Sequence, residues 1–150
     1  IYEFMNFGFS GNGRGQKEIA SMLSEIGNVK LFILDYEANA TLEMLKNTLD
    51  AFIDTLRIKY PTTPIIVMSK VRMAIELHDK EAFERQRRSL NYQRSVVKKH
   101  SINDPFIFFL DGHKIFGKYE SEATVDGAHP TDLGFMLITD FLEKYLKKWL

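Results

Sequence analysis

A chain of 150 residues and 17.4 kDa fits one domain and leaves little room for a second. Hydrophobic residues make up 45% and aromatics 13%, enough for a core, while 20 Lys+Arg balance 20 Asp+Glu. That balance argues against a protein that holds nucleic acid through a basic surface, and the absence of cysteine excludes disulfide scaffolds, thiolate zinc sites and cysteine nucleophiles. No apolar run approaches the ~20 residues of a membrane helix. The opening Ile1–Phe7 has no basic region, signal-peptide core or initiator Met. It opens at once into strand-like sequence and reads as a chain cut from something longer, which leaves the compartment open.

Tyr2 to Phe7 has the pattern of a strand and runs into the glycine-rich GFSGNGRG of residues 8–15. Ile19, Met22, Leu23 and Ile26 share one helical face, stopped at Gly27. Val29 to Tyr36 is a continuous apolar strand of the kind buried on both sides. Thr41 is placed to cap a helix whose apolar face is Leu42, Leu45, Leu49, Phe52, Ile53 and Leu56. Pro61 and Pro64 bracket a turn before the strand Ile65–Met68. Asp79 starts a polar helix to about His100, striped by Phe83, Leu90 and Val97. Pro105 precedes the strand Phe106–Leu110, a loop covers 111–130, and Thr131 caps a last helix. Phe135, Ile138, Leu142, Tyr145, Leu146 and Trp149 form its expected buried face.

Strands alternating with helices predict an α/β domain: a parallel sheet with helices on both faces and ligands at the carboxyl ends of the strands. Four segments reach that edge. In GFSGNGRG, four glycines let backbone N–H groups approach a ligand, or simply make a tight turn. Ser10 stands where a nucleophile can sit. The loop lacks the GK[ST] of a phosphate-binding loop and the third glycine of a dinucleotide fingerprint. In DYEANA, Asn39 is placed to donate to an oxyanion or to cap the next helix, and Asp35 is a possible ribose-binding acid.

In TVDGAHPTD, Asp126 and His129 lie three apart, so that the carboxylate can accept from Nδ1–H and leave Nε2 as general base. A turn with a capping aspartate is the plainer alternative. Asp111 and His113 offer a metal reading with Asp126 and His129, although no close His pair anchors it. Arg14, Lys70, Arg72 and Glu76 fall on edge loops as exposed polar groups within reach of a substrate, and Arg85, Arg87, Arg88, Arg94, Lys98 and Lys99 read as a solvated helix face.

Residues 6–14, NFGFSGNGR, and 126–135, DGAHPTDLGF, resemble the SGNH (GDSL-type) hydrolases, most closely the branch whose second block reads NxGFSGNGR and whose last reads DGxHPTDxGF. The resemblance spans nearly the whole chain. It implies a flavodoxin-like three-layer parallel sheet and hydrolysis of small acyl esters, carbohydrate acetyl groups among them, through an acyl-enzyme with no cofactor and no metal. Carried over by motif, Gly11 and Asn39 are the oxyanion donors, His129 is the base, and Asp126 orients it.

The family's nucleophilic serine sits in an earlier block, one strand–helix unit upstream, and this chain begins at the second block. Ser10 matches the serine preceding the oxyanion glycine, which leaves it the alternative nucleophile. Twenty-eight residues separate Gly11 from Asn39, one helix and one strand, as expected between second and third blocks. Residues 1–150 therefore read as one N-terminally incomplete domain without its first strand, inactive alone, with unpaired strand edges that favour homo-oligomers. Two other readings stay open: a non-catalytic module binding a nucleotide or other ligand through the glycine loop and Asp35, and an assembly fragment that completes a partner's sheet.

Overall fold

The computed structural model describes residues 2–149, without the Trp149 side chain. It contains a three-stranded parallel sheet in the order β1-β2-β3, formed by Phe32–Leu34, Ile65–Met68 and Ile107–Leu110. Helices α1 (Lys17–Ser24), α2 (Leu42–Lys59), α3 (Lys80–His100) and α4 (Asp132–Trp149) connect and follow the strands. Parallel neighbours need such crossovers, because a tight turn cannot return the chain to the same end of the sheet.

The caps stand where the sequence puts them. Thr41 Oγ1 accepts from the Met44 N–H (3.2 Å), and Asp79 Oδ1 accepts from the N–H groups of Glu81 (2.8 Å) and Ala82 (3.0 Å). Thr131 Oγ1 accepts from the Gly134 N–H at 3.2 Å. Each satisfies an N–H that the first helical turn leaves without a partner.

Alternation along the strands divides the core in two. Phe32, Leu34, Ile65, Val67 and Ile107 pack against Ala20 and Leu23 of α1, Leu49 to Leu56 of α2, and Val96 and Val97 of α3. Ile66, Met68 and Leu110 face the other way, onto Ile115, Phe116, Ala123 and the Leu137, Ile138, Phe141, Leu142 and Tyr145 stripe of α4. Three helices therefore cover one face and α4 the other. Burying each large aliphatic side chain in these layers contributes about 1.5–3 kcal/mol. Among the described residues no helix is long and apolar enough to cross a membrane.

Three expectations need correction. Tyr2–Phe7 forms no strand, and Phe4 stands 74% exposed. A cleft of about 770 Å³ separates residues 2–9 from β1, so the segment has no ladder partner in reach. β1 is only three residues long within the predicted 29–36, the length of its ladder with β2, and Ile33 on the cleft side is partly exposed. On α4, Phe135 is 58% exposed, since the buried stripe is rotated toward Leu137 and Phe141. Leu146 lines the cleft, and the expected burial of Trp149 lies outside the described residues.

Candidate active site

The glycine loop is held in an uncommon backbone conformation. Phe9 (φ 47°) and Ser10 (φ 52°) are both left-handed without being glycine, a sparsely populated state that persists only when its surroundings enforce it. Bonds within the loop hold it: the Asn12 N–H donates to the Phe9 carbonyl (3.1 Å), Arg14 Nε to the Gly11 carbonyl (2.8 Å), and Gln16 Nε2 to the Asn12 carbonyl (2.6 Å). A Cβ at Gly13 would stand 2.7 Å from the Gly8 carbonyl oxygen, so only glycine lets the loop close on itself. A Cβ at Gly11 would meet nothing within 4 Å beyond its chain neighbours.

Asn39 ends the 3₁₀ turn Glu37–Asn39 that follows β1, and its Nδ2 donates to the Ser10 carbonyl at 2.8 Å. Thr41 supplies the α2 cap by itself, so the capping alternative for Asn39 falls away. Its side chain turns to the glycine loop instead, and its second amide hydrogen is left for another acceptor. The structure thus brings together two segments 29 residues apart.

Asp126 and His129 form the second pair. His129 Nδ1 lies 2.7 Å from Asp126 Oδ2, while Asp126 Oδ1 accepts from the backbone N–H groups of Ala128 (3.0 Å) and His129 (2.8 Å). The backbone bond from His129, then its imidazole, then the Ala128 N–H hold the Asp126 carboxyl well below the usual carboxylate range. The His129 side chain is 83% exposed, so Nε2 faces solvent beside the start of α4. Two backbone bonds fix the loop: the Val125 N–H donates to the His129 carbonyl (2.8 Å), and the Ala74 N–H donates to the Gly127 carbonyl (2.9 Å). Among the described residues no hydrogen bond joins this pair to Asn39 or the glycine loop, and Ser10 Oγ is not bonded to His129.

Asp35 opens onto the cleft beside β1. Protein packs densely around it even where water reaches, and desolvation pushes its pKa up to about 6. Asp111 and His113 are drawn elsewhere. Asp111 Oδ2 pairs with Arg94 (2.9 Å), and His113 Nε2 faces Glu76 at 3.6 Å. Among the described residues no group of three or more His, Asp or Glu is arranged to hold a metal ion.

Lys70 and Glu76 are not the exposed groups that their loop position suggests. Both are buried and paired with each other (3.1 Å), while Arg72 grips Glu120 with both carboxylate oxygens within 3.1 Å. Sequence reasoning missed Glu37 altogether, although it is buried beside Asn39. A lone acidic residue in a turn carries no mark that distinguishes it from a solvated one.

The model of the GDSL-like Lipase/Acylhydrolase family matches residues 1–147. The fold is similar to the crystal structure of a candidate GDSL-like lipase from Bacteroides ovatus ATCC 8483, with a TM-score of 0.86 and 33% identity over 98% of this chain and 43% of that one. It is also similar to the salicylyl-acyltransferase SsfX3 from a tetracycline biosynthetic pathway, with a TM-score of 0.74 and 17% identity over 88% of this chain and 41% of that one; that likeness concerns the fold alone. The chain thus spans about two fifths of the length of these solved structures. A search of curated proteins gave no match. With a family match over nearly its whole length and a shared fold, the chain belongs to the GDSL-like lipase/acylhydrolase family.

Proposed function

We propose that residues 1–150 are the part of a serine ester hydrolase that carries the catalytic base and the oxyanion donors, and that the nucleophilic serine lies outside them. The observation that carries this reading is the 2.7 Å contact between His129 Nδ1 and Asp126 Oδ2, with Nε2 left to solvent. A carboxylate that accepts from Nδ1–H fixes the tautomer in which Nε2 is the free base.

Hydrolysis follows in two halves. The serine Oγ attacks the ester carbonyl while His129 Nε2 takes its proton, and Asp126 stabilises the imidazolium. Negative charge develops on the former carbonyl oxygen, where the Gly11 N–H and the second Asn39 N–H donate to it; one such donor is typically worth about 3–4 kcal/mol. The imidazolium returns its proton to the leaving alcohol, the C–O bond breaks, and an acyl-enzyme remains. Water then repeats the sequence and releases the acid. Small acyl esters are the substrate class, with acetyl groups on carbohydrate the first to assay.

Two observations support a serine from elsewhere. Ser10 belongs to the loop that Asn39 binds, and its carbonyl already serves as Asn39's acceptor. The cleft of about 770 Å³ beside β1 is lined by Gly8, Phe9, Gly13 and Gly15 of the glycine loop and by Asp35. A serine at the end of a strand paired with β1 would arrive there.

The test is p-nitrophenyl acetate hydrolysis by the complete enzyme. His129→Ala abolishes turnover, and Asn39→Ala lowers kcat by about 100-fold with KM within twofold. Retained activity in His129→Ala, or an Asn39→Ala effect confined to KM, overturns the reading.

A further inference from the structure

Among the most deeply buried polar side chains of the described residues are Glu37, Lys70 and Gln93. The proposed chemistry uses none of them, yet they meet directly behind the turn that carries Asn39. Glu37 Oε2 accepts from the Lys70 backbone N–H (2.9 Å) and from Gln93 Nε2 (2.7 Å). With its amide nitrogen toward Glu37, Gln86 donates to Oε1 (3.1 Å) and accepts from Lys70 Nζ (2.9 Å). One carboxylate is therefore tied to the loop after β2 and to two positions of α3.

Lys70 Nζ continues to Glu76 Oε1 (3.1 Å), which also accepts from the Met73 N–H (3.0 Å). Two residues before Glu76, the Ala74 N–H holds the Gly127 carbonyl of the Asp126–His129 loop. The buried network thus runs from the Asn39 turn to the loop of the base. Desolvation raises the Glu37 pKa and lowers that of Lys70; the bonds from the Lys70 N–H and Gln93 oppose the first shift, and the Glu76 carboxylate opposes the second. Apolar side chains would fill the same space at lower cost.

Glu37 and Asn39 share a single 3₁₀ turn, so pinning the first restricts the second. On one side the turn is held by the saturated carboxylate, and on the other by the Asn39 bond to the Ser10 carbonyl. We propose that Glu37 is a positioning residue: clamped by the Lys70 N–H, Gln93 and Gln86, it aims the Asn39 amide so that one N–H meets the glycine loop and the other meets the developing oxyanion. The proposal rests on the reading of Asn39 as an oxyanion donor and supplies the device that orients it.

Two readouts test it. In residues 1–150, hydrogen exchange at Asn39 Nδ2 becomes at least about tenfold faster in Glu37→Ala, while the core amides of Ile53 and Val67 keep their protection. Glu37→Gln stays within about threefold of wild type, because a glutamine oxygen at the Oε2 position keeps the Lys70 and Gln93 bonds and only the Gln86 bond is given up. In the complete enzyme, Glu37→Ala lowers kcat about 100-fold at unchanged KM, and Glu37→Gln restores it to within about threefold. Should Glu37→Ala fail to fold, Gln93→Leu removes one donor at nearly constant volume and gives the same localised exchange at about threefold or more.

Unchanged Asn39 exchange in the folded variant overturns the proposal. So does a uniform rise across the core, which is general loosening, or a Glu37→Gln enzyme as slow as Glu37→Ala. Asn39→Ala separates the two levels: full kcat there removes the oxyanion role, and with it this proposal, whereas a 100-fold loss in Asn39→Ala beside an unaffected Glu37→Ala removes only the clamp.

Discussion

Gly112 sits at the close approach of the loops that follow β2 and β3, and Gly112→Ala should be among the most damaging single-carbon changes in the molecule. A Cβ built there would lie 1.9 Å from the Ser69 carbonyl oxygen and 2.7 Å from that of Lys70, both backbone atoms at the end of β2. No side-chain rotation relieves such a clash, so the loop must lift away. Overpacking of this kind costs about 1–3 kcal/mol. Lifting the loop also breaks the buried 2.9 Å bond from the Gly112 N–H to Ser69 Oγ; a buried group left unpaired adds about 1–3 kcal/mol. Alanine returns only about 0.4–1 kcal/mol by restricting the unfolded chain. The net loss is about 1–5.5 kcal/mol, a fall in Tm of roughly 3–20 °C for a domain of this size. Urea and thermal unfolding of the variant measure it. A Tm within 2 °C of wild type, a shift of about 1 kcal/mol at most, would refute the close packing of these two loops.

Asp35→Asn tests the cleft. Because the folded-state pKa of about 6 is raised above the ordinary 3.8, the folded chain binds the proton more tightly, and stability falls as pH rises from about 4 through 6. The substitution raises Tm at pH 8 by about 2–4 °C, allowing roughly 1 kcal/mol after discount for water in the cleft, and leaves it unchanged at pH 3.5; equal effects at both pH values contradict the assignment. Asp126→Asn lowers kcat of the complete enzyme by about 10³–10⁴-fold through the wrong imidazole tautomer, and a loss below tenfold removes Asp126 from the mechanism. The same carboxyl has a depressed pKa in the fold, so its contribution to loop order is present above about pH 4 and is lost as pH falls. Protection of the Ala128 and His129 amides, relative to their intrinsic exchange rates, should therefore fall below pH 4, and protection independent of pH would count against the bonds to Asp126.

Much of this architecture was legible because it rests on local rules. Thr41, Asp79 and Thr131 announce helix starts through side-chain chemistry that acts within one turn, and the Leu45, Leu49, Ile53 and Leu56 face needs only a period of 3.6. The Asp126–His129 pair was legible for the same reason, since three intervening bonds of loop suffice to bring its atoms together. Tyr2–Phe7 has a strand's composition yet no ladder, because pairing depends on a neighbour that composition does not specify. Lys70 and Glu76 looked exposed because burial of a charge depends on what the fold packs around it: the Lys70 N–H meets Glu37, 33 residues away, and Gln86 reaches its ammonium from α3. The link from Asn39 to Ser10 is likewise a product of the fold, and no helix or strand period encodes it.

Mapping the adduct of a fluorophosphonate probe on the complete enzyme tests the central claim most directly. The account predicts a single modified serine outside residues 1–150 and no adduct in His129→Ala, since Nε2 must take the serine's proton. An adduct on Ser10 would contradict it, moving the nucleophile into the glycine loop and removing that loop from the oxyanion role.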